Sequence, residues 1–142
     1  MRIGLLKNIS VFLSMVNSEA RINYLNKMVE FLTTDNQRNW RFRLTLAFQM
    51  NKVISLYTPE QVASHHTSIG NNIHRTFQYI IMILVMDLLT DNIASVRLQA
   101  AHLAASITEH LIKGKPQNTE IANDFVENVS NNYNYYFIFI CV

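Results

Sequence analysis

Thr34-Asp35-Asn36, followed by Trp40-Arg41, has a second version in Thr90-Asp91-Asn92, followed by Val96-Arg97. In each copy an apolar residue stands five positions after the Asp and an Arg six after it. An apolar run precedes each copy, an amphipathic stretch follows it, and the two Asp residues are 56 positions apart. A supersecondary unit repeated within one chain is the signature of stacked helical repeats. Each unit of such a stack buries its apolar face only against its neighbours, and the stack presents extended binding surfaces.

The segments around the two copies read as helices. Apolar residues at 5, 6, 9, 12, 13 and 16 form a stripe at spacings of three and four, which predicts one helix from Ile3 to Val16. Ser18 is then a candidate N-cap, and Ile22, Leu25, Met28, Val29 and Leu32 form the face of a second helix. After the turn at Asp35-Asn36-Gln37 a third helix is expected from about Asn39 to Leu56, burying Trp40, Leu44, Ala47, Met50 and Ile54. Thr58-Pro59-Glu60-Gln61 has the form of a capping box with proline at the first helical position. Residues 64–76 are polar and contain a glycine, so they read as an inserted loop; Phe77 to Leu89 returns to apolar helix.

After Asp91 the plan repeats, with Val96, Ala100, Leu103 and Ile107 standing 56 residues after Trp40, Leu44, Ala47 and Asn51. Lys113-Gly114-Lys115-Pro116 ends that helix, with glycine just past the end and proline beyond. An amphipathic piece from Ile121 to Val129 follows. A period of 56 exceeds the roughly 40 to 47 residues of a two-helix repeat, and removing the loop restores it to that range. The layout is a half repeat at 1–17, a repeat at 18–57, a repeat at 58–113 carrying the loop 64–76, the start of another at 116–130, and a divergent tail at 131–142. Both ends of such a stack are expected to expose apolar surface.

The chemistry of the turn explains the motif. An Asp between the two helices of a pair can accept hydrogen bonds from amides that lack a partner within the helix, and its charge suits the positive end of the helix dipole. Losing such a cap costs about 1 kcal/mol. The apolar residue five later anchors the second helix. The Arg six later faces the adjacent repeat, where it could bridge to that repeat's Asp. Asp35, Trp40, Arg41, Asp91, Val96 and Arg97 are therefore the structural residues of the motif.

Other chemistries find little support. The single cysteine, Cys141, rules out an internal disulfide and a multi-cysteine metal site. His65, His66 and His74 have no Cys, and no Asp at ligand spacing, beside them. Glu109, His110 and Asp87 stand singly on helices and read as solvent-facing or packing residues. No phosphate-binding glycine loop, catalytic triad order or carboxylate pair stands out, so neither enzymatic activity nor a cofactor is expected. Arg38-Asn39-Trp40-Arg41-Phe42-Arg43 interleaves bases with aromatics. On a helix, however, Trp40 turns away from Arg38 and Arg41, and the net charge is only +2, so nucleic acid is not the expected partner. The longest apolar run, Ile80 to Met86, is interrupted by Asp87 and falls short of the roughly 20 residues a spanning helix needs, so no membrane is expected either. The start lacks the apolar core and cleavage site of a signal peptide, which predicts a cytoplasmic location with the nucleus as a second one.

The turn Asp and the Val-Arg pair on the second helix resemble the HEAT repeat. A more specific resemblance lies in Glu30-Phe31-Leu32, Thr34-Asp35-Asn36, Arg38 to Arg43, Leu56-Tyr57-Thr58-Pro59 and Ser95-Val96-Arg97, which are similar to the regulatory subunit 1 family of protein phosphatase 4. Arg2-Ile3-Gly4-Leu5-Leu6-Lys7 resembles the second helix of the preceding repeat in that family, and the similarity covers most of residues 1–130. The loop 64–76 and the tail after about 130 depart from it, which suggests a fragment or short paralogue. The resemblance implies an all-α chain, an α-α superhelix of HEAT or armadillo type with about three antiparallel helix pairs. It further implies a non-catalytic scaffold that binds a serine/threonine phosphatase catalytic subunit and directs its choice of substrate. Partners of the related phosphatase 2A scaffold dock on the ridge of turns within the repeats. Carried over, that ridge includes Thr34, Asp35, Asn36, Gln37 and Arg38 in one repeat and Thr90, Asp91, Asn92 and Ile93 in the next. The alternative is a generic HEAT adaptor, or a degenerate fragment that no longer binds phosphatase.

Overall fold

A computed structural model describes residues 2–18, 20–21, 24, 39–63 and 77–132. The first turn at 34–38, most of the helix expected up to Leu32, the loop 64–76 and the tail after 132 lie outside the described residues. Among those described, every regular element is a helix: α1 (Arg2–Lys7), α2 (Ile9–Met15), α3 (Trp40–Ile54), α4 (Pro59–Ala63), α5 (Phe77–Leu89), α6 (Ala94–Ile112) and α7 (Pro116–Asn132).

The single helix expected from Ile3 to Val16 is two. Asn8 interrupts it: its amide donates to the Leu5 carbonyl over 3.1 Å, and its side-chain nitrogen reaches the Gly4 carbonyl, also over 3.1 Å. An Asn side chain that bonds nearby backbone competes with helix continuation. Of the predicted stripe, Leu6, Ile9 and Leu13 are buried whereas Leu5 and Phe12 are exposed. The cap that follows is Asn17 rather than Ser18, with its Oδ1 accepting from the Ala20 amide over 2.8 Å. The capping box forms as the sequence predicts: the Gln61 amide donates to Thr58 Oγ1 (3.2 Å) and the Thr58 amide to Gln61 Oε1 (2.9 Å).

Helices α1 and α2 pack on α3, α3 packs on α6, and α5 and α7 lie against α6. The turn joining α5 to α6 is too short for anything but antiparallel neighbours. One continuous core runs through the stack, from Leu6 and Leu13 through Leu46, Val53, Leu84 and Leu103 to Phe125 and Val129. Side chains of this size each stabilise the fold by about 1.5 to 3 kcal/mol when fully buried.

The repeat register differs from the one the motif suggests. Counting from the Asp pairs Trp40 with Val96 and Leu44 with Ala100, yet Trp40 and Leu44 are only partly buried. The fully covered rows are Phe42, Leu46, Gln49 and Val53 in α3 and Val96, Ala100, Leu103 and Ile107 in α6, each pair 54 residues apart. The helix starts, Trp40 and Ala94, have the same separation of 54. The link from Asp to helix is therefore two residues longer in the first copy. Helix position follows the apolar face, and turn length varies around it.

Tight approaches close the far side of the stack. A Cβ at Gly114 would stand 2.6 Å from the Pro59 Cβ and 2.2 Å from Asn118 Nδ2, so any other residue there would push α4 and α7 apart. Among the described residues the outer faces of the first and last helices differ. Leu5, Val11, Phe12 and Met15 are exposed on α1 and α2. The outer face of α7 instead carries Glu120, Asp124 and Glu127, with Val126 its one exposed large apolar residue among those described.

Candidate partner-binding ridge

The turn between α5 and α6 is Thr90, Asp91, Asn92 and Ile93. Thr90 closes α5, with its hydroxyl donating to the carbonyls of Asp87 (3.0 Å) and Met86 (3.2 Å). Asp91 opens α6: its Oδ1 accepts from the Ile93 amide over 2.9 Å, and Ile93, the cap residue by position, makes no side-chain cap of its own. The Ile93 carbonyl then takes the Val96 and Arg97 amides at 3.0 and 3.2 Å.

Asp91 is also the point where two helices are tied together. Arg43, on α3, forms a two-pronged ion pair with it, Nε to Oδ2 and Nη2 to Oδ1, the latter at 3.0 Å. The Asp91 side chain is 3% exposed and that of Arg43 14%. Burial pushes the Asp91 carboxyl up. The Arg43 hydrogen bond, the Ile93 amide and the charges of Arg43 and Arg97 outweigh that effect and hold it below the usual carboxylate range. Fork-to-carboxylate pairing of this kind fixes geometry as well as adding energy.

The expected roles of the two motif arginines are therefore redistributed. Arg97 Nη1 donates to the backbone carbonyl of Asp91 over 2.7 Å, within its own turn. Arg41 is exposed and places its guanidinium 4.7 Å from the Trp40 ring centroid. The bridge from one helix pair to the next belongs to Arg43, which the motif did not single out. Aligning the apolar stripes of α3 and α6 would have found it, because Phe42-Arg43 then falls on Val96-Arg97. Asp91 is spent on the fold and is not open to a partner. Thr90 and Asn92 are exposed beside it, and Ile93 is half-buried. Thr34, Asp35, Asn36, Gln37 and Arg38, the corresponding ridge residues of the first copy, lie outside the described residues.

On the opposite side, where one pair connects to the next, Arg21 gathers three carbonyls: Leu13 (3.0 Å), Val16 (3.0 Å) and Leu56 (2.5 Å). It also lies 5.7 Å from the Tyr57 ring centroid, and the Tyr57 hydroxyl donates to the Arg21 carbonyl over 2.9 Å. Burial pushes the Tyr57 phenol far above its ordinary range despite the nearby Arg21 charge. The ends of α2 and α3 are thus held by one guanidinium, which suits the negative end of a helix dipole. Among the described residues no group of three or more His, Cys, Asp or Glu is placed to hold a metal. His65, His66 and His74 lie outside the described residues. No helix among those described is long and apolar enough to cross a membrane.

Comparison with known proteins adds the decisive observation. Serine/threonine-protein phosphatase 4 regulatory subunit 1 of the rat is 34% identical over 129 residues, covering 89% of this chain. The chain resembles phosphatase 4 regulatory subunit 1. The human and mouse proteins of that name are each 33% identical over the same length. The chain spans about 12% of the length of these curated relatives. No family profile matches the chain, and no solved structure does. The likeness to regulatory subunit 1 covers both copies of the turn motif, so the Asp91 clamp lies on a stretch that is similar to a phosphatase regulatory subunit.

Proposed function

We propose that the chain forms part of a HEAT-type α-solenoid and acts as a non-catalytic regulatory subunit of a serine/threonine phosphatase resembling phosphatase 4. In this reading it binds the catalytic subunit and directs its choice of substrate. The observation that carries the reading is the 34% identity to a phosphatase 4 regulatory subunit over 89% of the chain. The contact ridge in this reading runs over Thr90, Asn92 and Ile93, beside the Arg43–Asp91 pair, and includes the expected Thr34 to Arg38 of the first copy, which lie outside the described residues. A cytoplasmic and nuclear location belongs to the same reading.

The direct test is capture of the phosphatase 4 catalytic subunit on this chain and on a longer chain that includes adjoining helix pairs. Capture weakened by Thr90→Arg and Asn92→Arg supports the ridge. Failure of the longer chain to capture the catalytic subunit contradicts the phosphatase reading and favours a generic helical-repeat adaptor.

A further inference from the structure

Helix α3 has neighbours on both flanks. Gln49 Oε1 accepts from Ser10 Oγ of α2 over 3.0 Å, and Arg43 holds Asp91 at the start of α6. The face of α3 left between them is a side of the stack, wherever the stack begins or ends. Arg41, Thr45, Phe48 and Lys52 follow one another on it at spacings of four, three and four, so they form one stripe. Arg41 and Lys52 are exposed, Phe48 is 49% exposed and Thr45 is half-buried.

The stripe is cationic and aromatic. The Lys52 ammonium lies 4.9 Å from the Phe48 ring centroid, and the Arg41 guanidinium 4.7 Å from that of Trp40. The ion pairs among the described residues are Arg43–Asp91 and Lys113–Glu109, so neither cation of the stripe is matched by a carboxylate. Helices α1, α2 and α3 contain no acidic residue. On α6 the separation of 54 puts Ser95, Gln99, His102 and Ser106 beside the stripe, none of them acidic. The one carboxylate of α6, Glu109, comes later and is taken up by Lys113 at 2.8 Å.

We propose that this stripe binds a short extended acidic segment of a partner protein, with two carboxylates on Arg41 and Lys52 and an apolar side chain over Phe48. On a helix rising about 1.5 Å per residue, Arg41 and Phe48 are about 10 Å apart along the axis, and Phe48 and Lys52 about 6 Å. An extended chain advances about 3.3 Å per residue. The matching segment therefore has an acid three residues to one side of its apolar residue and an acid two residues to the other. Its unpaired backbone groups need partners, which the hydroxyls, amide and imidazole of the α6 row can supply. Opposite charge orients such a contact and sets its salt dependence. Nucleic acid fits less well: a duplex carries one negative charge per about 1.7 Å of axis, whereas the two cations stand about 16 Å apart along α3. The inference does not rest on the phosphatase reading.

The test is fluorescence anisotropy of labelled peptides titrated with the full chain. The probes are Glu-Ser-Gly-Leu-Ser-Glu and its reversed sequence, which cover both chain directions. One of them should bind at about 0.05 M salt and weaken markedly at about 0.5 M, where charges are largely screened. A peptide of the same composition with both acids at one end should bind more weakly, and the version with Lys for Glu should not bind. Arg41→Glu/Lys52→Glu should lose at least about tenfold in affinity for the acidic probe and gain binding of the lysine one. Phe48→Ala should weaken the acidic probe and remove its preference for Leu over Gly at the apolar position. Circular dichroism checks that the variants remain helical; if one does not, the spacing, charge and salt dependence on the unaltered chain decide. Failure of both acidic probes to bind, equal binding of the lysine peptide, indifference to the spacing of the acids, or affinity unchanged in folded Arg41→Glu/Lys52→Glu would overturn the proposal. So would tighter binding of a labelled oligothymidylate that depends on Arg41 and Lys52, which would give the face to nucleic acid.

Discussion

Helix α3 starts on its own cap, the Asn39 side chain accepting from the Phe42 amide over 3.3 Å. Helix α6 starts instead on an Asp two residues further back, and that Asp also receives the arginine of α3. Both helices then bury the same four positions of their faces. The difference teaches which part of a repeated unit is fixed. The apolar face must meet its neighbours, so it sets where each helix lies. The turn has only to satisfy a few amides, and an Asn or an Asp at different distances does so equally well.

The comparison can be broken most forcefully at its apolar anchors. Phe42→Ala should cost about 3 to 5 kcal/mol in urea unfolding. Val96→Ala, with fewer atoms removed, should cost roughly 2 to 3 kcal/mol by the same mechanism. If Trp40→Ala proved more damaging than Phe42→Ala, the register of 54 would be wrong.

Asp91→Ala is expected to cost about 2 to 3 kcal/mol, because it frees the Ile93 amide and leaves the largely covered Arg43 without its carboxylate. The pH dependence follows from the lowered carboxyl. A group depressed in the folded state stabilises it above the unfolded value, near 3.9, and loses that contribution as pH falls through the folded value. Stability of the unaltered chain should therefore drop more steeply below about pH 4 than that of Asp91→Asn, as followed by acid unfolding. Equal slopes would remove the ion pair from the account.

Smaller effects sharpen the contrast. Trp40→Ala should cost about 1 to 2 kcal/mol, in keeping with a side chain that packs on the core while remaining partly exposed. Arg41→Ala should cost no more than about 0.5 to 1 kcal/mol, since Arg41 is exposed and its guanidinium stacks over the Trp40 ring.

Much of this fold can be read from the residues. The apolar stretch Phe77 to Leu89, the Thr58-Gln61 capping box and the Gly114-Pro116 stop all mark helix ends that the structure places there. Local chemistry dictates such ends, so a short window of sequence contains them. The break at Asn8 was hidden because the stripe of apolar residues continues across it. The register was hidden because the repeated Asp drew attention to the turn, the element free to change length. Arg43 was hidden for the same reason: its role depends on a carboxylate 48 positions away, and only the packing of α3 on α6 brings them together. Of the candidate ridge, the residues at 90–93 were legible as a turn. That Asp91 faces inward while Thr90 and Asn92 face out is a property of the packed pair.

The account stands on Arg43, and not Arg41, being the residue that ties one helix pair to the next. A double-mutant cycle of Arg43→Ala with Asp91→Ala, read by urea unfolding, measures this directly. The predicted coupling is about 1 to 3 kcal/mol, against less than about 0.5 kcal/mol for Arg41→Ala with Asp91→Ala. Additive effects in the first cycle, or a larger coupling in the second, would contradict it.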